Sequence, residues 1–264
     1  GATTEKCSLE DDIRIAGECG YEVVEIRFDK MEEYLKTHSF DDLKALMRGC
    51  GVKPWTINAI GMSTMQDAAG EDRVMKETER FAEFAAAIDC PWIVACPGAH
   101  DGASWDEILT KSAASFAKQA DIAWKKRISL SFEFLGFPWA SVQTVSQAWA
   151  VVKAANRLNT GITIDTAHFY PGSSTLAEIS AIPVQALAVF HMNDLIDKPK
   201  AEIGDYDRVM PGDGVIPLED ICKEVKRIGF GGVASIEIFN HDFNAEDPKG
   251  IARKAFEKMA PYVK

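Results

Sequence analysis

No stretch of this chain approaches the ~20 consecutive apolar residues that a membrane-spanning helix needs, and no basic segment followed by an apolar one stands at its start. Neither a membrane span nor a secretory leader is therefore expected. Basic residues are in the minority: 29 Lys and Arg against 40 Asp and Glu leave a formal net charge of −11. A partner made of phosphate backbone requires the opposite footprint, so nucleic acid is excluded as the natural ligand. The six cysteines, Cys7, Cys19, Cys50, Cys90, Cys96 and Cys222, are scattered, with no CxxC pair and no disulfide-framework spacing. Reduced thiols in a cytoplasmic protein are the expectation. Also missing are a GxGxxG turn after the first strand, a GxxxxGK[ST] phosphate loop and a GxSxG elbow, which disfavours the doubly wound nucleotide-binding sheets and the α/β-hydrolases. No linker or low-complexity segment divides the chain.

What is present is an ordinary globular balance, 47% hydrophobic and 26% charged over 264 residues, enough for a sizeable core. The length matches the ~250 residues of an α/β barrel. Strand-like and helix-like segments alternate throughout. Ser8 with Asp11 opens a helix that Gly20 stops, and YEVVEIRF follows as a strand. Ser39 with Asp42 opens the next helix, ended by Gly51 before VKPWTINAI. The polar connection STMQDAAGED leads to the helix VMKETERFAEFAAAI and the strand PWIVAC; Ser104 with Glu107 starts a helix to about Trp124 before ISLSFEF. Ser141 opens a helix to about Asn156 before ITID, and Thr175 with Glu178 a short one before LAVFH. LEDICKEVKRI, closed by Gly229, precedes ASIEIF, and a terminal helix spans about Pro248 to Tyr262. Seven strands are legible, and GATT at the start reads as the tail of an eighth whose beginning lies outside the sequence. The expectation is a (β/α)8 TIM barrel, a single domain over residues 1–264, with its active site at the C-terminal ends of the strands.

Four of these strands end in a residue able to hold a metal ion: ISLSFE at Glu133, ITID at Asp165, LAVFH at His191 and ASIE at Glu237. Alternation places Ser129, Ser131 and Glu133 on one face, as it does Thr163 with Asp165 and Ser235 with Glu237, while Leu130, Phe132, Ile162, Ile164, Ile236 and Ile238 take the other. Small polar groups then face the barrel axis and bulky ones the helices. LAVFH fits less cleanly, since Leu187 and Val189 accompany His191. Three carboxylates and an imidazole suit one divalent cation, Mn²⁺, Mg²⁺, Co²⁺ or Zn²⁺, and sequence does not choose among them. His168, three residues past Asp165, is either a histidine leaning over the same mouth or a surface-loop residue. Arg208, in DRVMPGDG, is placed either to grip a substrate oxygen or to pair with Asp205 or Asp207. Glu25 and Arg27 share a face of an early strand and read as an internal ion pair. Trp55, Asn58, Trp92 and Trp139 read as core or as a wall of the pocket.

In order along the chain, FEFLG, IDTAHF, FHMND, DRVMPGDG and SIEIF resemble the signature of the xylose-isomerase-like sugar isomerase/epimerase superfamily. Within it, the stretches ATT, GYEVVEIRFDKMEEYLKTHSFDDL and KPWTINA resemble the branch acting on inosose (2-keto-myo-inositol). The similarity covers essentially the whole chain. It implies Glu133, Asp165, His191 and Glu237 as ligands of one cation, Glu133 and Glu237 also as the proton-moving catalytic pair, and His168 and Arg208 as contacts to substrate oxygens. Tyr170 and Met210 depart from the pattern, where a histidine and a tryptophan are more usual.

The activity implied is isomerisation or epimerisation of a keto-sugar or keto-polyol by proton transfer next to a carbonyl through an enediolate. A homo-oligomer is compatible with it. The alternative on the same scaffold is a dehydratase, acting on inosose or 3-dehydroshikimate, in which the same enolate expels a β-hydroxyl. A repair endonuclease on a related barrel is disfavoured by five histidines in all and by the acidic charge. A non-catalytic sugar- or metal-binding barrel has no evident use for two glutamates at one site.

Overall fold

Seven parallel strands follow one another in space in the order in which they occur in the chain. In the computed structural model, which describes residues 1–263, they are β1 (Val23–Arg27), β2 (Lys53–Ile60), β3 (Trp92–Ala95), β4 (Ser129–Glu133), β5 (Thr160–Asp165) and β6 (Leu187–Met192), with β9 (Val233–Ile236) closing the series. Between the last two, β7 (Asp194–Leu195) and β8 (Arg208–Val209) form a small antiparallel ribbon. Because each parallel step needs a crossover, helices fall on the outside and the sheet curls into a nearly closed TIM barrel.

The alternation expected from the sequence is realised in side chains. Ser131 and Thr163, on adjacent strands, hydrogen-bond to each other inside the barrel. Phe132 points outward and meets Phe116 of the helix Trp105–Trp124 edge-on at 5.0 Å. Both sides are buried, as a parallel sheet under helices requires.

Helix starts follow their capping residues. Ser8 and Ser39 form full capping boxes with Asp11 and Asp42, and Gly20 and Gly51 close those helices with φ of 89° and 71°, which an L side chain resists. Two expected starts move. The long helix begins at Ala68, because the Asp67 side chain accepts from Gly70 N and extends the helix into the polar connection. The helix expected from Ser141 begins at Val145, capped by Thr144, while Ser141 N donates to Gly98 O. A helix at Phe28–Tyr34, directly after β1, was not anticipated.

The eighth strand expected from GATT is not formed. Residues 3–6 turn: Cys7 N donates to Thr4 O, and the Lys30 ammonium, 2.7 Å from Asp12, donates to the carbonyls of Gly1 and Thr4. Those backbone groups are thereby used up locally instead of in a ladder. The segment still runs beside the last strand, since Ile238 N donates to Thr3 Oγ1. Among the described residues no helix is long and apolar enough to cross a membrane, and all six cysteines are free thiols.

Candidate active site

Glu133 and Asp165 are the final residues of β4 and β5, His191 is the penultimate residue of β6, and Glu237 follows β9 directly. Neighbouring registers bring them level: Glu133 sits beside Thr163, Asp165 beside His191, and His191 beside Ser235. All four are buried, and one donor atom from each lies within 4.8 Å of the others, a group able to hold a metal ion. His191 Nδ1 stands 3.0 Å from Glu133 Oε1, 3.2 Å from Glu237 Oε2 and 3.9 Å from Asp165 Oδ2. Donors bound at ~2.0–2.2 Å to one ion stand roughly 3–3.5 Å apart, so the spacing fits a single divalent cation.

Each of the four also has a partner behind it that fixes which atom faces inward. Asp165 Oδ1 accepts from Ala167 N (2.6 Å) and from Asn193 Nδ2 (3.0 Å), so that Oδ2, which meets Arg208, is the oxygen turned in. Asn58 Nδ2 donates to Glu237 Oε1 at 2.8 Å, leaving Oε2. The Cys96 thiol donates to Glu133 Oε2 at 3.5 Å, leaving Oε1. His191 Nε2 lies 3.0 Å from Glu25 Oε2, leaving Nδ1.

Glu25, read from the sequence as the partner of Arg27, is not paired with it. Arg27, at the end of β1, turns to Asp29 at 2.9 Å and to Glu5 at 4.0 Å. Glu25 instead accepts from Thr56 Oγ1 and meets His191. Alternation correctly put both on one face but could not show that the last residue of a strand is free to swing outward. Asn58 was read only as core or pocket wall and Asn193 was missed, because an amide beside a carboxylate carries no sequence signature. Trp55 and Trp92 sit early in their strands, away from the tips: Trp55 Nε1 donates to Ala188 O, and the Trp92 ring lies against Gly161. Trp139 is exposed and stacks on Phe137 (5.8 Å), which meets the His168 ring edge-on (5.0 Å), giving one aromatic wall.

Arg208, 1% exposed, reaches the cluster from β8. Its Nη1 lies 2.7 Å from Asp165 Oδ2 and 3.0 Å from Glu237 Oε2, and its Nη2 lies 2.9 Å from Asp205. Of the two sequence alternatives for this residue, the pairing is formed, with Asp205; Asp207 pairs with Lys198 instead. Arg208 Nη2 also donates to His168 Nε2 at 3.2 Å, which places the His168 proton on Nδ1. His168 Nδ1 and Arg208 Nε are both buried without a partner in the protein. Two donors left unsatisfied beside a cluster of acids are poised to meet ligand oxygens.

Three buried carboxylates (Glu133, Asp165, Glu237) and the half-buried Glu25 stand around one guanidinium, and the excess negative charge governs the protons nearby. Burial resists charge on His191, but Glu25, Glu237 and Glu133 outweigh it and raise its pKa well above the usual range. Burial, aided by the charges of Glu237 and Asp165, lifts Glu133 to about 7 against the pull of His191. Glu237 also resists ionisation through burial, yet His191 and Arg208 hold it well below the usual carboxylate range. Burial and the adjacent Arg208 lower His168, favouring the neutral ring, although Asp165 opposes them. A divalent cation would relieve the same imbalance that these protons relieve.

The loop that delivers Arg208 is fixed by Asp194, 1% exposed. Its Oδ1 accepts from Leu195 N (2.9 Å) and Ile216 N (2.8 Å), and its Oδ2 from Gly212 N (3.1 Å) and Gly214 N (3.0 Å). A Cβ on Gly214 would meet Leu195 O at 2.2 Å, so the loop closes that tightly only over glycine. Asp194→Asn can accept through one oxygen only, and a cost of about 1.5–3 kcal/mol is expected. Urea unfolding measures it, and a change below 0.5 kcal/mol (~0.5 being the scatter of a neutral surface change) would remove Asp194 as the loop's anchor.

A family model described as xylose isomerase-like TIM barrel matches residues 13–262. Inosose isomerase from Bacillus velezensis is 31% identical over 262 residues, covering 97% of this chain and 94% of its own. Inosose isomerase from Halalkalibacterium halodurans is 30% identical over 243 residues, covering 91% and 86%. Among solved structures, that of the IolI protein with a bound zinc atom superposes with a TM-score of 0.96 at 29% identity, over 99% of this chain and 95% of that one.

Proposed function

The chain belongs to the xylose isomerase-like TIM barrel family, and from that premise we propose that it is a divalent-cation-dependent isomerase acting on inosose or a similar keto-polyol. The observation that carries the reading is the inward set of Glu133 Oε1, Asp165 Oδ2, His191 Nδ1 and Glu237 Oε2, four donors at the spacing of one ion. These residues would hold the cation at the C-terminal rim of a barrel that forms one domain. When bound, the cation supplies Lewis-acid stabilisation of negative charge on the substrate's oxygens.

The chain's own groups do the rest. His168 Nδ1–H and Arg208 Nε–H, unsatisfied within the protein, donate to substrate hydroxyl or carbonyl oxygens and fix the ring's position. One of Glu133 and Glu237 removes the proton on the carbon next to the carbonyl, and the same or the opposite glutamate returns a proton to the neighbouring carbon. Trp139 and Phe137 supply the apolar wall and help to exclude water.

Incubation of the cation-loaded protein with inosose in D₂O tests the proposal. Deuterium is expected on carbon next to the carbonyl, with no net loss of water. A conjugated product absorbing in the ultraviolet would identify the dehydratase instead. Absence of exchange with inosose and with simple ketoses would refute both.

A further inference from the structure

Glu25, a half-buried acid on β1, is used by neither the proton transfer nor the cation site. We infer that Glu25 is the positioning residue that fixes the tautomer of His191, so that Nδ1, and not Nε2, is the atom offered to a cation. The inference rests on reading the four inward donors as a cation site and adds one step to it.

Glu25 Oε2 lies 3.0 Å from His191 Nε2 and also accepts from Thr56 Oγ1. Ser235 donates to the same carboxylate, so Glu25 serves as the acceptor for every group around it. A hydrogen bond from its carboxylate oxygen to Nε2 at 3.0 Å then needs the hydrogen on Nε2. The bare nitrogen that a metal requires is then Nδ1, on the edge of the ring that faces Glu133, Asp165 and Glu237.

Glu25 cannot itself be a ligand, because the imidazole stands between it and the cluster. Nor is it a simple ion-pair partner, since Arg27 is engaged elsewhere. A carboxylate behind a metal-binding histidine orients the ring and makes it more basic, and removing such a partner typically lowers metal affinity about 10–100-fold. The other three donors are backed by neutral groups, Asn193 with Ala167 N, Asn58, and Cys96. Arg208 meets the inward oxygens of Asp165 and Glu237, and Glu25 is the carboxylate set behind the one neutral ligand.

The test compares the wild-type chain with Glu25→Gln and Glu25→Ala. Affinity for Zn²⁺ is measured by competition with a chelator, and the nitrogens of His191 by ¹⁵N NMR of histidine-labelled, Zn²⁺-loaded protein. Gln keeps an acceptor but loses the charge, so Nε2 stays protonated and affinity falls about tenfold; Ala loses both, and affinity falls towards about 100-fold with a disturbed Nε2–H signal. Thermal melts show whether each variant is folded. Should Ala not fold, the isosteric Gln variant carries the test alone. If the wild type binds Zn²⁺ and folded Gln or Ala variants bind it within twofold, with His191 signals unchanged, Glu25 is only structural and the inference is overturned. If the wild type binds no Zn²⁺, the cation site itself is overturned, and the inference with it.

Discussion

Glu133→Gln, saturated with its cation, is expected to lose deuterium exchange into inosose by about 10²–10⁴-fold, the range for removing a positioned general base or acid. The side chain keeps its shape, and a carbonyl oxygen remains where Oε1 stood, so Asp165, His191 and Glu237 with that oxygen still surround the ion. What disappears is a group that can take and return a proton. Without the cation, burial raises Glu133 to about 7, whereas Glu237 is held low by His191 and Arg208. In the cation-free protein the two acids thus differ in readiness to accept a proton although they face the same imidazole. Binding of the cation is checked in the same sample by competition with a chelator. Exchange within threefold of wild type in a cation-loaded variant would take Glu133 out of the proton-moving pair.

Removing Arg208 should cost more stability than removing any other single side chain at the mouth. Arg208→Met leaves Asp165 and Glu237 buried without their guanidinium, and breaking a buried pair from one side typically costs about 3–5 kcal/mol. The loss should be partly reversible by the proposed ligand. A cation that binds the folded state alone stabilises it by mass action, and here it would also replace the missing positive charge. In urea unfolding, the wild type should exceed Arg208→Met by several kcal/mol without added metal, and the gap should narrow with saturating Mn²⁺ or Zn²⁺. Equal stability without metal, or a gap that metal leaves unchanged, would show that Arg208 does not compensate the cluster.

Much of this was legible from residue order alone. The strands that matter are short, β-branched and alternating, and each of the four inward donors stands at or next to a strand's end, where a barrel exposes its chemistry. Glu133, Asp165, His191 and Glu237 could therefore be named together without coordinates, as could His168 and Arg208 from the loops that follow. The supports were not legible. Asn58, Asn193 and Cys96 act through single hydrogen bonds to residues far away in sequence, and no periodicity encodes such a contact. Glu25 was misassigned because alternation gives a side chain's face and not its reach; Arg27 on the same face bends away to Asp29. Helix starts shifted where Asp67, inside what read as a polar connection, capped a longer helix and where Thr144 capped in place of Ser141. The opening residues failed as a strand because Lys30 and their own turn satisfy the carbonyls that a ladder would need.

The measurement that bears most directly on the site is anomalous diffraction from crystals grown with Mn²⁺ or Zn²⁺. One strong peak is expected per chain, about 2.0–2.2 Å from His191 Nδ1 and from a carboxylate oxygen of each of Glu133, Asp165 and Glu237. A peak bound elsewhere, a peak on His191 Nε2, or no peak at saturating metal would contradict the cation site and the chemistry built on it.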